Sequence, residues 1–257
     1  KHQHAQETRP KRKDMSNKNS TGYIFIYAAI LIVIVAALLS VAAVVLAPFQ
    51  QRNKDNEKMC NILNAAAIPN VSNDNAQALF DKHCIQMLLL DGNGNILDDS
   101  GKAFNTNLKQ ELYNKEQGNG YSLPLFVINN GTQNINVIPL QGNGLWGAIW
   151  GYIAIADDCN TVVGANFDHA SETPGLGAEI TTEKFQHQFQ GKTIMKNGQF
   201  VSIKVQKGGI ITLPETDREH AVDAISGGSI TSKGVDEMIN KVLSCYLPYF
   251  EKQHKEE

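Results

Sequence analysis

Tyr121-Ser122-Leu123-Pro124-Leu125-Phe126-Val127-Ile128-Asn129-Asn130-Gly131-Thr132-Gln133-Asn134-Ile135-Asn136-Val137-Ile138-Pro139-Leu140 carries the fold assignment. Two apolar, β-branched runs, Tyr121–Ile128 and Ile135–Leu140, flank Asn130-Gly131, a pair that tolerates the backbone angles of a tight reversal. The segment therefore predicts a β-hairpin. Upstream, the apolar run Cys84–Leu90 and the turn Asp91-Gly92-Asn93-Gly94 predict a further strand. Ahead of it, Met59–Ala67 and Asn75–His83 read as short helices, the second capped near Asn73 or Asp74. Downstream, Tyr152–Ala156 and Val162–Phe167 read as strands, and Glu179–Phe189 as a helix. Asn197-Gly198 separates two more strand candidates, Lys192–Lys196 and Phe200–Val205. Val235, Met238, Ile239, Val242 and Leu243 give Lys233–Tyr246 a helical period, with Pro248 as its stop. Strands grouped in the middle and helices at the ends predict one α+β domain with a mostly antiparallel sheet. No internal repeat is visible.

Outside this domain lies a different kind of segment. Ile24–Ala47 is apolar apart from Ser40 and, as a helix, spans about 36 Å, enough to cross a hydrocarbon core of about 30 Å. It is longer than the apolar core of a cleaved signal peptide, so it reads as a retained anchor. Tyr23 and Tyr27 suit the headgroup boundary, and Pro48 suits a helix stop. Lys1, Arg9, Lys11, Arg12, Lys13 and Lys18 precede the helix; Arg52, Lys54 and Lys58 follow it, among Asp55 and Glu57. The Lys/Arg bias places the N-terminus in the cytoplasm and the domain outside. The boundaries read as a tail over 1–22, a transmembrane helix over 23–49, a polar linker over 50–58 and the domain over 59–257. Residues 1–14 look like an added or upstream segment ahead of Met15.

A net charge of −3 gives no reason to expect a nucleic-acid partner. Cys60, Cys84, Cys159 and Cys245 are widely spaced without a CxxC pair, which argues against a zinc or iron–sulfur site within the chain. In an oxidising compartment a disulfide is chemically allowed, and spacing alone does not pair them.

Three segments carry chemistry. The first runs from Asp223 through Ser226, Gly227, Gly228, Ser229 and Thr231 to Ser232. Its glycines allow close backbone approach, and the helix that follows presents free N–H groups and a positive dipole end. Together these form a phosphate cradle with hydroxyls beside it. A glycine turn with a serine cap accounts for the same residues. Asp223 suits a cation or a partner for a hydroxyl being modified. The second segment, Gly144-Leu145-Trp146-Gly147-Ala148-Ile149-Trp150-Gly151-Tyr152, holds both tryptophans of the chain among glycines and suits packing on a planar ring or in a core. The third, His169 to Glu179, contains Glu172-Thr173-Pro174-Gly175-Leu176-Gly177 and predicts a tightly shaped loop. His169 and Glu172 by themselves are too few for a metal site.

These three segments, running Gly144–Tyr152, His169–Glu179 and Asp223–Ser232 along the chain behind one N-terminal apolar helix, resemble the FMN-binding domain family. The likeness is to the NqrC family, a flavoprotein component of sodium-translocating NADH:quinone reductases. A related branch is the corresponding flavoprotein of ferredoxin-linked electron-transport complexes. Gly144-Leu145-Trp146 and Gly151-Tyr152 favour the quinone-reductase branch. Members carry FMN joined through its phosphate to a Thr or Ser in a motif Ser-Gly-Ala-Thr-x-Thr-Ser with an upstream Asp. The matching residues are Ser226, Gly227, Gly228, Ser229, Ile230, Thr231 and Ser232, with Asp223 upstream, so the acceptor falls on Ser229. Ser229 stands where the family has Thr, and Gly228 where it has Ala. A serine hydroxyl still permits a phosphodiester, and Thr231 becomes a rival acceptor.

The resemblance implies a flavin pocket built from Asp223, Ser226, Gly227, Gly228, Ser229, Thr231, Leu145, Trp146, Glu172, Thr173, Gly175, Leu176 and Gly177. It implies covalent FMN as the cofactor, no catalytic side chain and no metal. It further implies single-electron relay within a multi-subunit complex of the bacterial inner membrane, with the domain periplasmic. NADH oxidation, quinone reduction and sodium transport would fall to the complex, and flavin attachment to a separate flavin transferase. A non-redox membrane-anchored scaffold is the alternative of another class. Lys192, Lys204 and Lys207 read as surface charge, any one of which would suit a phosphate.

Overall fold

The computed structural model describes residues 21–256, so nearly all of the tail expected over 1–22, including 1–14, lies outside the described residues. The chain divides into two compact units, one ending at Arg52 and one beginning at Asn53.

In the first unit the apolar stretch lies in helix α1, Thr21–Ala65, whose most apolar window has a mean hydropathy of 3.2. Phe25, Ile32, Leu38 and Val44 are exposed, as a lipid-facing helix requires. Pro48 does not stop the helix, and the expected linker over 50–58 is helical. A proline removes one backbone hydrogen bond at a cost of about 3 kcal/mol. The helical turns on both sides outweigh that local loss.

The second unit is built on a six-stranded antiparallel sheet in the order β2-β1-β3-β4-β5-β6. Its strands are β1 Cys84–Leu90, β2 Ile96–Asp98, β3 Leu123–Asn129, β4 Asn134–Asn143, β5 Ala148–Ile155 and β6 Val162–His169. β3 and β4 form the expected hairpin, with Asn129 opposite Asn134. Asn130 Oδ1 closes the loop by accepting from Thr132 N and Gln133 N. Alternation on β3 sends Leu123, Leu125 and Val127 to one face and Phe126 and Ile128 to the other, and both faces are buried. That explains an apolar run without polar gaps.

On one face the last turns of α1 (Met59, Ile62, Leu63) and helix α2, Ala76–His83 (Ala76, Phe80), cover Phe126, Ile128, Val137 and Ala154. On the other, helix α3, Leu108–Glu116, and the C-terminal helix α5, Ser229–Glu256, cover Leu125, Ile138, Leu140 and Ile153. The sequence reading misses α3. Asn107 starts it by accepting from Gln110 N through its side chain.

The region after β6 departs most from expectation. Glu179–Phe189 is not one helix. It is a 3-10 turn Gly177–Thr181, a single α turn α4 Glu183–Gln186, and a 3-10 turn His187–Phe189. Thr182 is extended and its hydroxyl donates to Glu179 O, which ends the first turn. Of Lys192–Lys196 and Phe200–Val205 only the ends are strand: β7 Met195–Lys196 and β8 Gln199–Phe200 form a hairpin, and Lys204 and Val205 belong to a separate strand. Ser202, at φ +63, breaks the second run. β9 Lys204–Gln206 then pairs in parallel with β10 Ala221–Asp223. α5 begins at Ser229, earlier than the expected Lys233, and passes through Pro248. Buried Tyr249 and Phe250 carry the helix beyond the proline, and Gly94 lets the backbone of Pro248 and Tyr249 approach the β1–β2 turn.

Candidate functional site

Glu172 is the meeting point of the three chemistry-bearing segments. It follows β6 and is only 5% exposed. Its Oε1 accepts from Trp146 N at 2.8 Å, in the β4–β5 connection. Its Oε2 accepts from Thr231 Oγ1 at 2.7 Å, in the first turn of α5. Burial pushes the carboxyl up, but the hydrogen bonds from Thr231 and Trp146, with the field of His169, outweigh it and hold Glu172 below the usual carboxylate range. His169 Nδ1 accepts from Glu172 N at 3.1 Å and so fixes the start of the loop.

Glycines make this closeness possible. A Cβ on Gly177 would strike Glu172 Oε2 and Thr231 Oγ1, and a Cβ on Gly144 would strike Glu172 Oε1. Gly175, at φ +76, turns the loop, and its N–H donates to Glu179 Oε1 at 3.0 Å. Thr173 is exposed, and its carbonyl accepts from Leu176 N and Ala178 N. Leu176 packs close to Gly227, whose φ of +76 permits the turn before α5. Gly228 is buried, and its missing Cβ admits Ile225 and the Leu176 backbone.

Three large apolar side chains stand out into solvent around this junction: Leu145, Trp146 at 65% exposure and Leu176. Ile230, in the first turn of α5, joins them. Such exposure suits a flat apolar ligand or a partner surface. Ser229 and Ser226 are exposed. Thr231 and Ser232 are each 1% exposed and engaged: Thr231 donates to Glu172, and Ser232 Oγ accepts from Ile225 N at 3.0 Å. Gly228 O accepts the first helical N–H, that of Ser232, at 2.9 Å. The N–H groups of Ser229, Ile230 and Thr231 therefore have no acceptor within the helix, and the dipole end adds positive potential beside Ser229.

Next to the junction opens a cleft of about 610 Å³, the size of a small-molecule site. It brings Gly175, Asp223 and Ser226 together with Glu179, Lys184 and Gln188. Sequence reasoning reaches Glu179 only as the end of the loop segment and misses Lys184 and Gln188, because it predicts one continuous helix where broken turns bring them to the cleft. Asp223 is not turned toward the α5 hydroxyls by any hydrogen bond; its Oδ1 accepts from Ile210 N at 2.6 Å and braces the Gly208-Gly209 loop. Trp150 lies elsewhere, in a separate cleft with Lys58, Asn107 and Tyr152. Lys192 is spent on Arg218 O at 2.7 Å.

Comparison with known proteins places this geometry. Residues 144–244, which contain all three segments, match the FMN-binding domain family. The NqrC component of the Na(+)-translocating NADH-quinone reductase of Haemophilus ducreyi is 30% identical over 233 residues, spanning 86% of this chain and 88% of that one. That of Pseudomonas aeruginosa is 27% identical, spanning 88% and 92%. The crystal structure of the corresponding protein from Parabacteroides distasonis superposes with a TM-score of 0.70 at 38% identity, covering 80% of this chain and 96% of that chain.

Proposed function

Because this chain belongs to the NqrC family of Na(+)-translocating NADH-quinone reductases, we propose that it carries FMN covalently on Ser229 and serves such a complex as a membrane-anchored electron relay. The observation that carries the reading is the junction at Glu172, which brings the Trp146, Leu176 and Ser229 segments to one place.

The residues fit the group. A phosphodiester needs an accessible hydroxyl and compensation for one negative charge. Ser229 offers the hydroxyl, and the free N–H groups of the first turn of α5 with the dipole end offer the compensation. Thr231, the rival acceptor, is buried and already donates to Glu172, so its hydroxyl is out of reach of an incoming phosphoryl group. Leu145, Trp146 and Leu176 supply exposed apolar surface for a planar ring, and the backbone at Thr173, Gly175 and Gly177 sets the shape of the loop beside it. When bound, FMN supplies one-electron redox chemistry, and the protein's share is to hold and orient it. No side chain acts as a general acid, base or nucleophile on substrate. NADH oxidation, quinone reduction and sodium transport belong to the other subunits, and a flavin transferase installs the cofactor.

α1 anchors the protein in the membrane. The excess of Lys and Arg before Thr21 supports a cytoplasmic N-terminus with the second unit in the periplasm. The test is the mass of the full chain expressed with a flavin transferase. The expected adduct is about 438 Da, one FMN less one water, on the peptide containing Ser229, with fluorescence under ultraviolet light. Ser229→Ala is expected to abolish it. Label on a Thr231 peptide, or none in protein from native membranes, would overturn the assignment.

A further inference from the structure

A second reactive pair lies on the helical layer, away from the flavin site. Lys115, near the end of α3, places its Nζ 2.8 Å from Sγ of Cys245 on α5, 130 residues later in the chain. That is well inside the van der Waals contact distance of nitrogen and sulfur. Cys245 is 4% exposed, and its thiol also contacts Lys241 O at 3.2 Å, which holds the sulfur in place. Lys115 has no competing anion. Among the described residues no carboxylate forms an ion pair with it, and its neighbour Glu116 is taken by Lys241. The ring of Tyr121, its centroid 5.7 Å from Nζ, closes the other side. Lys102 and Lys233, by contrast, each meet a carboxylate. Here an amine nitrogen and a thiol sulfur from different helices are held in contact with nothing between them.

We propose that Lys115 and Cys245 are the site of a reversible covalent N–O–S bridge, formed with dioxygen, that ties α3 to α5. The separation suits nitrogen and sulfur that share one oxygen atom, and is shorter than an ordinary N–H···S contact. The balance is Lys-NH2 + Cys-SH + O2 → Lys-NH–O–S-Cys + H2O. The O–O bond, the S–H bond and one N–H bond break; one N–O and one S–O bond form, with the two O–H bonds of water. Sulfur and nitrogen each give up two electrons. One oxygen atom stays in the bridge, and the other leaves as water with both protons. Two equivalents of a dithiol reverse the step, each oxidised to its disulfide as the bridging oxygen is released as water. Such a bridge places the modification on the oxidation ladder of cysteine while sparing the thiol from irreversible acids. Its consequence is mechanical: the helix whose first turn bears Ser229 becomes fastened to α3 sixteen residues further along.

The test uses the full chain in detergent, purified in air without added thiol, then denatured, alkylated, digested and mapped by mass spectrometry. The expected result is a joined peptide pair containing Lys115 and Cys245, heavier than the two reduced peptides by about 14 Da, one oxygen gained and two hydrogens lost. Dithiothreitol is expected to separate the pair and to make Cys245 alkylatable. Lys115→Arg and Cys245→Ser are each expected to lose it. A pair lighter by about 2 Da would mean a direct S–N bond and overturn the bridge. Full alkylation of Cys245 in the unreduced wild-type chain would overturn it as well. Neither readout depends on flavin, so the outcome is separate from the assignment of Ser229.

Discussion

Replacing Glu172 with alanine removes the acceptor that three segments share, and the structure sets the size of the effect. Thr231 Oγ1, 1% exposed, loses a charge-assisted acceptor at 2.7 Å and is left buried with nowhere to donate, a cost of about 1.5–3 kcal/mol. Trp146 N loses its partner in an exposed loop, where water replaces it, adding about 0.5–1 kcal/mol. The sum is about 2–4 kcal/mol of unfolding free energy. For a domain of this size that lowers the midpoint of thermal unfolding by roughly 5–15 °C. Urea unfolding in detergent, followed by the fluorescence of Trp146 and Trp150, reads the change directly. Glu172→Gln keeps the shape but exchanges two charge-assisted bonds for neutral ones, and is expected to lose about 1–2 kcal/mol. A cycle with Thr231→Val isolates the shared bond, with a coupling of about 1–2 kcal/mol expected. Stability of Glu172→Ala within about 0.5 kcal/mol of wild type, or a coupling near zero, would refute the reasoning.

Gly177→Ala drives a methyl between Glu172 Oε2 and Thr231 Oγ1 and is expected to cost about 1–3 kcal/mol by urea unfolding; a neutral effect would mean that the loop is not packed there. The folded state holds Glu172 below the usual glutamate value near 4.5, so its contribution is complete above that value and drains away as pH falls through the lower, folded one. A titration of the urea midpoint is therefore expected to fall more steeply for wild type than for Glu172→Gln below about pH 4.5. Parallel curves would remove Glu172 from the acid response.

Much of the fold is legible in the sequence because the signal is local. The boundaries of β1 and the hairpin of β3 and β4 follow from apolar runs and turn residues. The Ser226–Ser232 turn and the Pro174–Gly177 loop are legible for the same reason. Illegible are features settled by distant packing. Pro48 and Pro248 read as stops, yet α1 and α5 run through them. Glu179–Phe189 has helical composition, but burial of Ile180, Phe185 and Phe189 breaks it into three turns that bring Glu179, Lys184 and Gln188 to the cleft. Asp223 suits a cation or a partner for a hydroxyl being modified, and only the fold shows that its Oδ1 also accepts from Ile210 N while it lines the cleft with Ser226.

The sequence by itself determined the kind of protein: an apolar anchor, an antiparallel α+β domain and a glycine–hydroxyl turn suited to a phosphate. Those properties depend on periodicity and on residues a few positions apart, which the chain spells out locally. Only the tertiary structure sets the two hydroxyls of that turn apart, exposing Ser229 and burying Thr231 against Glu172, 59 residues away. The difference rests on which side of the first turn of α5 faces the junction, and that is fixed by the helix packing on the sheet rather than by any residue beside it.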